Sequence, residues 1–318
     1  MTRIAVVRPL PEAVLAPLRA RAEVVVGPDE PPLVSAEELR GLMRGADVLY
    51  TMPIARVDAA AMDAAPGLRM IATLAVGFDA IDVAAARERG IAVAYAPGIL
   101  DETTADGAFA LLLAAARRLG EAERFVRARR FRGWTPLGFV GQDVHHATLG
   151  IVGMGRIGQQ MARRARGFEM RVLYHDERRN DRAERELGVT YAPLEHLLAE
   201  SDVVSLHVPL LPTTRHLIDA AALTRMKRTA ILINTSRGPV VDEGALAVAL
   251  RDGTIAGAGL DVYEREPEVE PLLLELENVV LLPHIASATA DTRTRMAMRA
   301  TENIVAFLDG RPLPDPVP

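Results

Sequence analysis

The stretch TLGIVGMGRIGQQMARRA (residues 148–165) decides how the rest of the chain reads. A short apolar run ends at Gly153, and Gly153, Gly155 and Gly158 then space out as G-x-G-x-x-G ahead of an amphipathic segment. Between a strand and a helix, this is a dinucleotide-binding loop. The first glycine permits a tight turn, the second lets the backbone approach a pyrophosphate, and the third lets the helix pack on the strand, with the helix amino terminus facing the anion. The next apolar run, MRVLYHD (170–176), ends in Asp176, 23 residues after Gly153. A carboxylate there accepts hydrogen bonds from the adenosine ribose hydroxyls and repels a 2′-phosphate, which favours NAD(H). Arg178 and Arg179 follow directly in DERRN and keep NADP(H) open, because a guanidinium in that loop accommodates the phosphate.

Outward from this loop the same alternation continues in both directions. IAVV (4–7), EVVV (23–26), DVLY (47–50), RMIATL (69–74) and IAVAY (91–95) read as strands, with helices starting near Pro11, Ser35, Val57 and Asp82. A long helical pattern spans about 101–130. Further strands are expected at DVVSLHV (202–208), AILINT (230–235), IAGAGLDV (255–262) and NVVLLPH (278–284), followed by a last helix to about Leu308 and a proline-rich tail expected on the surface. Short apolar runs alternating with amphipathic segments predict an α/β fold built from doubly wound parallel sheets.

The composition narrows the function by exclusion. A chain of 318 residues suits two domains. A net charge of −5 leaves no basic footprint for nucleic acid or an anionic membrane. The basic residues are almost all arginine, with Lys227 the one lysine among 37. There is no cysteine, so disulfides, thiolate catalysis and Cys-ligated metal are excluded. The opening MTRIAVVRPL is too short an apolar run for a signal peptide, and the expected location is the cytoplasm. The pair His145–His146 lacks a third ligand at suitable spacing, and no metal is expected.

Three strand ends carry chemistry. AILINTSRGPVVDEGAL (230–246) places Arg237 beyond a buried strand; AGLDVYEREP (258–267) places Asp261, Glu264 and Glu266 beyond the next; LLPHIAS (281–287) places His284 beyond the one after. Ligands of open α/β sheets bind beyond the carboxyl ends of strands. A guanidinium there offers a planar fork to a carboxylate. Arginine, glutamate and histidine thus converge on the edge that also carries the glycine loop.

Together with VGFDAID (76–82) and ETTADGAFALLLAAARR (102–118), these motifs resemble the D-isomer-specific 2-hydroxyacid dehydrogenases over nearly the whole chain. FRGWTPLGFVGQDV (131–144) resembles the glyoxylate/hydroxypyruvate reductase branch. The resemblance implies a Rossmann dinucleotide domain at 99–285 inserted into a flavodoxin-like substrate domain at 1–98 and 286–318. It implies that Arg237 binds the 2-oxo acid carboxylate, that His284 protonates the carbonyl oxygen, and that Glu266 pairs with the imidazole, with Glu264 as the alternative partner. Backbone N–H groups around Val76 and Gly77 would hold the substrate carboxylate. Met52, Leu74, Ala75 and Ser287 would complete the substrate side, with Trp134 either reaching toward a partner subunit or filling a core. Beyond the three glycines and Asp176, the cofactor positions would be Thr104, Arg156, Ile157, Val208, Pro209, Thr214, Thr235, Asp261 and Ala286. A homodimer is implied, with the helix after Asp101 as its arm.

Within the family, Glu266 stands where the formate dehydrogenases that the chain resembles carry glutamine, and Val76 where phosphite dehydrogenases carry lysine. Small 2-oxo acids remain as substrates, glyoxylate and hydroxypyruvate foremost. Dehydrogenases of the D-3-phosphoglycerate, 2-ketogluconate or D-lactate type stay open, as does a nucleotide-sensing, corepressor-like scaffold.

Overall fold

The computed structural model describes residues 1–30 and 33–318. It divides into two compact units, Met1–Leu100 with Ala288–Pro318, and Asp101–Ser287. The division falls two residues beyond each expected boundary.

The first unit alternates β1 (Arg3–Val6), α1 (Glu12–Arg19), β2 (Glu23–Val26), α2 (Ala36–Met43), β3 (Val48–Thr51), α3 (Ala59–Asp63), β4 (Met70–Thr73), α4 (Val83–Glu88) and β5 (Ala92–Ala94). The sheet runs β2-β1-β3-β4-β5 with every pairing parallel, the flavodoxin-like order. Ser35, Asp58 and Asp82 start α2, α3 and α4 by accepting a first-turn N–H through their side chains.

The second unit opens with α5 (Asp101–Ala116) and α6 (Leu119–Arg127). The single long helix expected over 101–130 is therefore two. Arg118 between them sits in the left-handed region at φ +54°, which no α-helix can continue through. Then follow β6 (Thr148–Val152), α7 (Arg156–Ala165), β7 (Arg171–His175), α8 (Asp181–Leu187), β8 (Thr190–Tyr191), α9 (Leu194–Glu200), β9 (Val203–Leu206), α10 (Ala220–Arg225), β10 (Ile231–Asn234), α11 (Glu243–Arg251), β11 (Gly257–Leu260), α12 (Pro271–Glu275) and β12 (Val279–Leu281). The seven-stranded sheet runs β12-β11-β10-β9-β6-β7-β8, all parallel, which is the dinucleotide-binding order with one added strand. The strand β8 has no counterpart among the expected strands, because two residues carry no alternation to detect.

Strand alternation builds one core on each face of this sheet. Leu149, Tyr174, Val203, Ile231 and Ile233 point to one face, and Val152, Leu173, Val204 and Leu232 to the other. The chain then returns to the first unit as α13 (Ala290–Leu308), capped by Thr289. The buried Tyr50 hydroxyl donates to the Ala297 carbonyl of α13 at 2.7 Å. The proline-rich tail is not merely a surface segment: Val317 donates its N–H to the Val93 carbonyl at 2.9 Å, and its side chain packs on the first unit's core. Among the described residues, no helix is long and apolar enough to cross a membrane.

Candidate active site

Because every strand of the second unit is parallel, every βα loop emerges on one edge of the sheet. In sheet order the edge carries His284 beyond β12, Asp261 and Glu266 beyond β11, Thr235 and Arg237 beyond β10, His207 beyond β9, Gly153 beyond β6 and Asp176 beyond β7. The three candidate catalytic residues thus come from adjacent strands, as the motif order requires.

His284 Nδ1 lies 2.9 Å from Glu266 Oε2. The other Glu266 oxygen accepts the Tyr263 N–H at 3.0 Å. His284 itself occupies the left-handed region at φ +56°, which a β-carbon disfavours, so the surrounding contacts hold it there. Two of them are visible. Asp261, 1% exposed, accepts the Ile285 and Ala286 N–H groups at 2.7 and 2.8 Å and so pins the chain just past the histidine. The Tyr263 hydroxyl donates to the Leu282 carbonyl at 2.8 Å and pins it just before. Glu264, the alternative partner, faces elsewhere. It meets His216 Nε2 at 2.8 Å and Arg215 at 3.3 Å.

Arg237 is half-buried, and one of its guanidinium nitrogens donates to the Ser236 carbonyl at 2.8 Å. Its loop is shaped by Asn234, a residue that no motif in the sequence marks. The Asn234 amide accepts from Ser236 N–H and donates to the Arg237 carbonyl at 2.9 Å. Gly238 lets this loop lie against the next one: a Cβ there would fall inside the Tyr263 carbonyl group. Glu243, buried and also unanticipated, accepts the N–H groups of Glu264 and Glu270 at 2.6 and 2.7 Å. Burial pushes the Glu266 carboxyl up, but the His284 hydrogen bond and charge, the Tyr263 N–H and the nearby Arg237 outweigh it and hold the group below the ordinary carboxylate range. Burial pushes Asp261 the other way, above that range.

The glycine loop has the shape of a nucleotide cradle. Gly153 sits at φ +96°, with a Cβ there only 2.8 Å from the His207 carbonyl carbon, beside the switch point where the sheet order reverses. Gly155 is exposed at the start of α7 and faces open space, and no side chain caps that helix end. Its first-turn N–H groups therefore have no side-chain acceptor at the helix end, which suits them to an anion. Arg156 and Ile157 form that first turn, exposed and half-buried respectively. Asp176 is half-buried and ties β7 to the loop, accepting the Met154 and Glu177 N–H groups at 2.7 and 2.8 Å. The Thr235 hydroxyl is buried and meets no partner among the described residues, so it is available to a ligand. An open cradle, an uncapped helix and an orphaned hydroxyl on one edge fit a dinucleotide. Thr214 shapes the neighbouring loop by donating to the Pro209 carbonyl at 2.6 Å and accepting the Leu211 N–H. Thr104 and Ala286 are buried, Val208 and Ser287 half-buried and Pro209 exposed.

In the first unit, Met52 follows β3, and Leu74, Ala75, Val76 and Gly77 follow β4, all at that sheet's carboxyl edge. Leu74 and Ala75 are buried. The Val76 and Gly77 N–H groups meet no acceptor among the described residues. Trp134 is 84% exposed, so it fills no core of this chain. Phe131, Leu137 and Val140 beside it are exposed as well.

Residues 109–286 match the model of the family described as D-isomer specific 2-hydroxyacid dehydrogenase, NAD binding domain. The chain is similar to the glyoxylate reductase of Korarchaeum cryptofilum, 53% identical over 97% of this chain and 93% of that protein. It is also similar to the glyoxylate reductase of Thermococcus kodakarensis, 49% identical over the same shares. Among solved structures, a protein from Thermus thermophilus superposes with a TM-score of 0.93 at 46% identity, each chain covered in full. An NADPH-dependent glyoxylate/hydroxypyruvate reductase from Sinorhizobium meliloti, in complex with NADP and malonate, gives a TM-score of 0.87 at 36% identity, covering 99% of this chain and 96% of that one.

Proposed function

The chain belongs to the D-isomer-specific 2-hydroxyacid dehydrogenases, in their glyoxylate reductase branch, and on that premise we propose that it reduces glyoxylate or hydroxypyruvate to the D-2-hydroxy acid. The observation that carries the reading is the 2.9 Å His284–Glu266 pair, with Arg237 on the adjoining strand end. In the imidazolium form both ring nitrogens carry protons. Nδ1–H donates to the Glu266 carboxylate, which fixes the ring, and Nε2–H is the proton source for the substrate carbonyl oxygen. The Arg237 fork grips the substrate carboxylate and draws electron density from the ketone. Gly153, Gly155, Gly158 and the first turn of α7 would hold the pyrophosphate of a nicotinamide dinucleotide, and Asp176 its adenosine ribose. When bound, the reduced nicotinamide supplies the hydride that the carbonyl carbon accepts. The His284 proton completes the hydroxyl, and solvent then reprotonates the imidazole.

Asp176 supports NADH as the preferred cofactor. The exposed apolar run at Phe131, Trp134, Leu137 and Val140 supports a homodimer, which light scattering on the eluting protein would test. The deciding experiment is loss of nicotinamide absorbance with glyoxylate, hydroxypyruvate, pyruvate and 2-ketogluconate, each with NADH and with NADPH. Fast turnover on either of the first two supports the reading. Bound cofactor without turnover on any of the four rejects it and favours the scaffold role.

A further inference from the structure

Two arginines follow Asp176, and the structure treats them differently. Arg178 is exposed and makes no hydrogen bond or ion pair among the described residues. The Arg179 fork is engaged on both sides: Nε donates to Glu184 Oε1 at 2.8 Å and a terminal nitrogen to Glu184 Oε2 at 2.7 Å. Parallel bonds of this kind fix a guanidinium in orientation as well as in place.

Glu184 is not a casual surface partner. It lies on α8 with its side chain 19% exposed, and the hydroxyl of the buried Tyr174 donates to its Oε1 at 2.8 Å. That hydroxyl in turn accepts the Asn180 N–H at 2.7 Å, and Asn180 caps the helix that carries Glu184. Strand β7, the loop and α8 therefore close on one another through Glu184. The Arg179 and Tyr174 hydrogen bonds hold its carboxyl below the ordinary range.

We propose that Glu184 is a cofactor-selectivity residue: by holding both donors of the Arg179 fork, it withholds that arginine from a 2′-phosphate, so that of the two arginines only Arg178 stands against the Asp176 charge at the adenosine ribose. The proposal rests on the reading of this edge as a nicotinamide dinucleotide site. It does not depend on which 2-oxo acid is reduced. Preference for NADH is thus enforced twice, by a carboxylate that repels the phosphate and by a second one that occupies its natural ligand. Weakening the second would convert Arg179 into a phosphate ligand without adding any residue.

The test is calorimetric titration of the whole protein with NADH and with NADPH, using wild type, Glu184→Gln, Arg179→Ala and the double variant. A new charge-assisted hydrogen bond to the 2′-phosphate predicts about ten- to hundredfold tighter NADPH binding in Glu184→Gln, with NADH changed by less than about threefold. Arg179→Ala alone should leave the NADPH-to-NADH ratio at its wild-type value, and the double variant should lose the improvement. An unchanged ratio in Glu184→Gln overturns the proposal. So does an improvement that survives in the double variant, because it would come from deleting a negative charge and not from freeing Arg179. Loss of NADPH affinity in Arg179→Ala alone overturns it too. Tyr174→Phe loosens Glu184 without altering charge and should shift the ratio the same way by a smaller factor, which keeps the test open if Glu184→Gln melts early. Failure of wild type to bind either dinucleotide would defeat the underlying reading; failure to reduce glyoxylate while binding both would defeat the substrate assignment and leave the selectivity proposal standing.

Discussion

Gly238→Ala tests whether the site is held by the fit of one loop against another. Gly238 adjoins Arg237, and its missing Cβ is the space that the Tyr263 carbonyl occupies. A methyl group there would lie far inside the 3.0 Å that real Cβ atoms keep, and against backbone, so no side chain can swing aside to relieve it. To restore ordinary van der Waals distance the Arg237 loop and the Tyr263–Glu266 loop must part by more than about 1 Å. Tyr263 N–H is what Glu266 Oε1 accepts, so the movement separates Arg237 from the Glu266–His284 pair. Displacement of catalytic groups by about 1 Å costs on the order of 10²-fold in rate. Forced overpacking costs about 1–3 kcal/mol, which for a domain of this size lowers the melting temperature by about 2–12 °C. Steady-state kinetics with glyoxylate should show kcat/KM down about a hundredfold. Calorimetry should show cofactor affinity falling far less than kcat/KM, because the glycine loop and Asp176 lie on other strands than the two loops that part. A variant with wild-type kcat/KM and an unshifted melting curve would refute the claim that loop packing sets the site.

Four further outcomes follow from the same geometry. His284→Ala should lower kcat by about 10²–10⁴-fold while the cofactor still binds, as single-turnover measurement would show. Arg237→Ala should raise KM for glyoxylate as well as lowering kcat, whereas a pure kcat effect would remove the carboxylate clamp from the mechanism. Glu266 has a folded-state carboxyl below its ordinary value of 4.5, so the stability it contributes is present above that value and is lost as pH falls through the folded one. Melting curves from pH 7 into acid should fall less steeply for Glu266→Gln than for wild type. Asp176→Ala should weaken NADH binding and raise the NADPH-to-NADH ratio in titrations.

The glycine loop and the three strand-end motifs were legible in the sequence because each is a local pattern. Five to ten consecutive residues announce a buried strand, its end and the functional side chain beyond it. The choice between Glu264 and Glu266 was not local. Two residues apart, they diverge because Glu264 turns toward His216, across a loop more than forty positions away in the chain. Glu243 reads in sequence as an ordinary acidic residue in the first turn of a helix. Its role lies in two N–H groups 21 and 27 residues downstream, which no spacing rule connects to it. The Arg118 break was hidden for another reason. Its neighbours Arg117 and Leu119 are strong helix formers, and the one weak former nearby, Gly120, lies inside the second helix and not at the left-handed residue that separates the two.

Asp176, Asn234, Glu243 and Asp261 share a habit: each takes hold of main-chain N–H groups of the loops that surround the site. Every residue except proline offers such a group, whatever its side chain. The posture of these loops is thus largely indifferent to the letters written on them. Lineages that inherit the four anchors are free to rewrite the gripped positions, and with them the taste of the pocket, without relearning how to fold it.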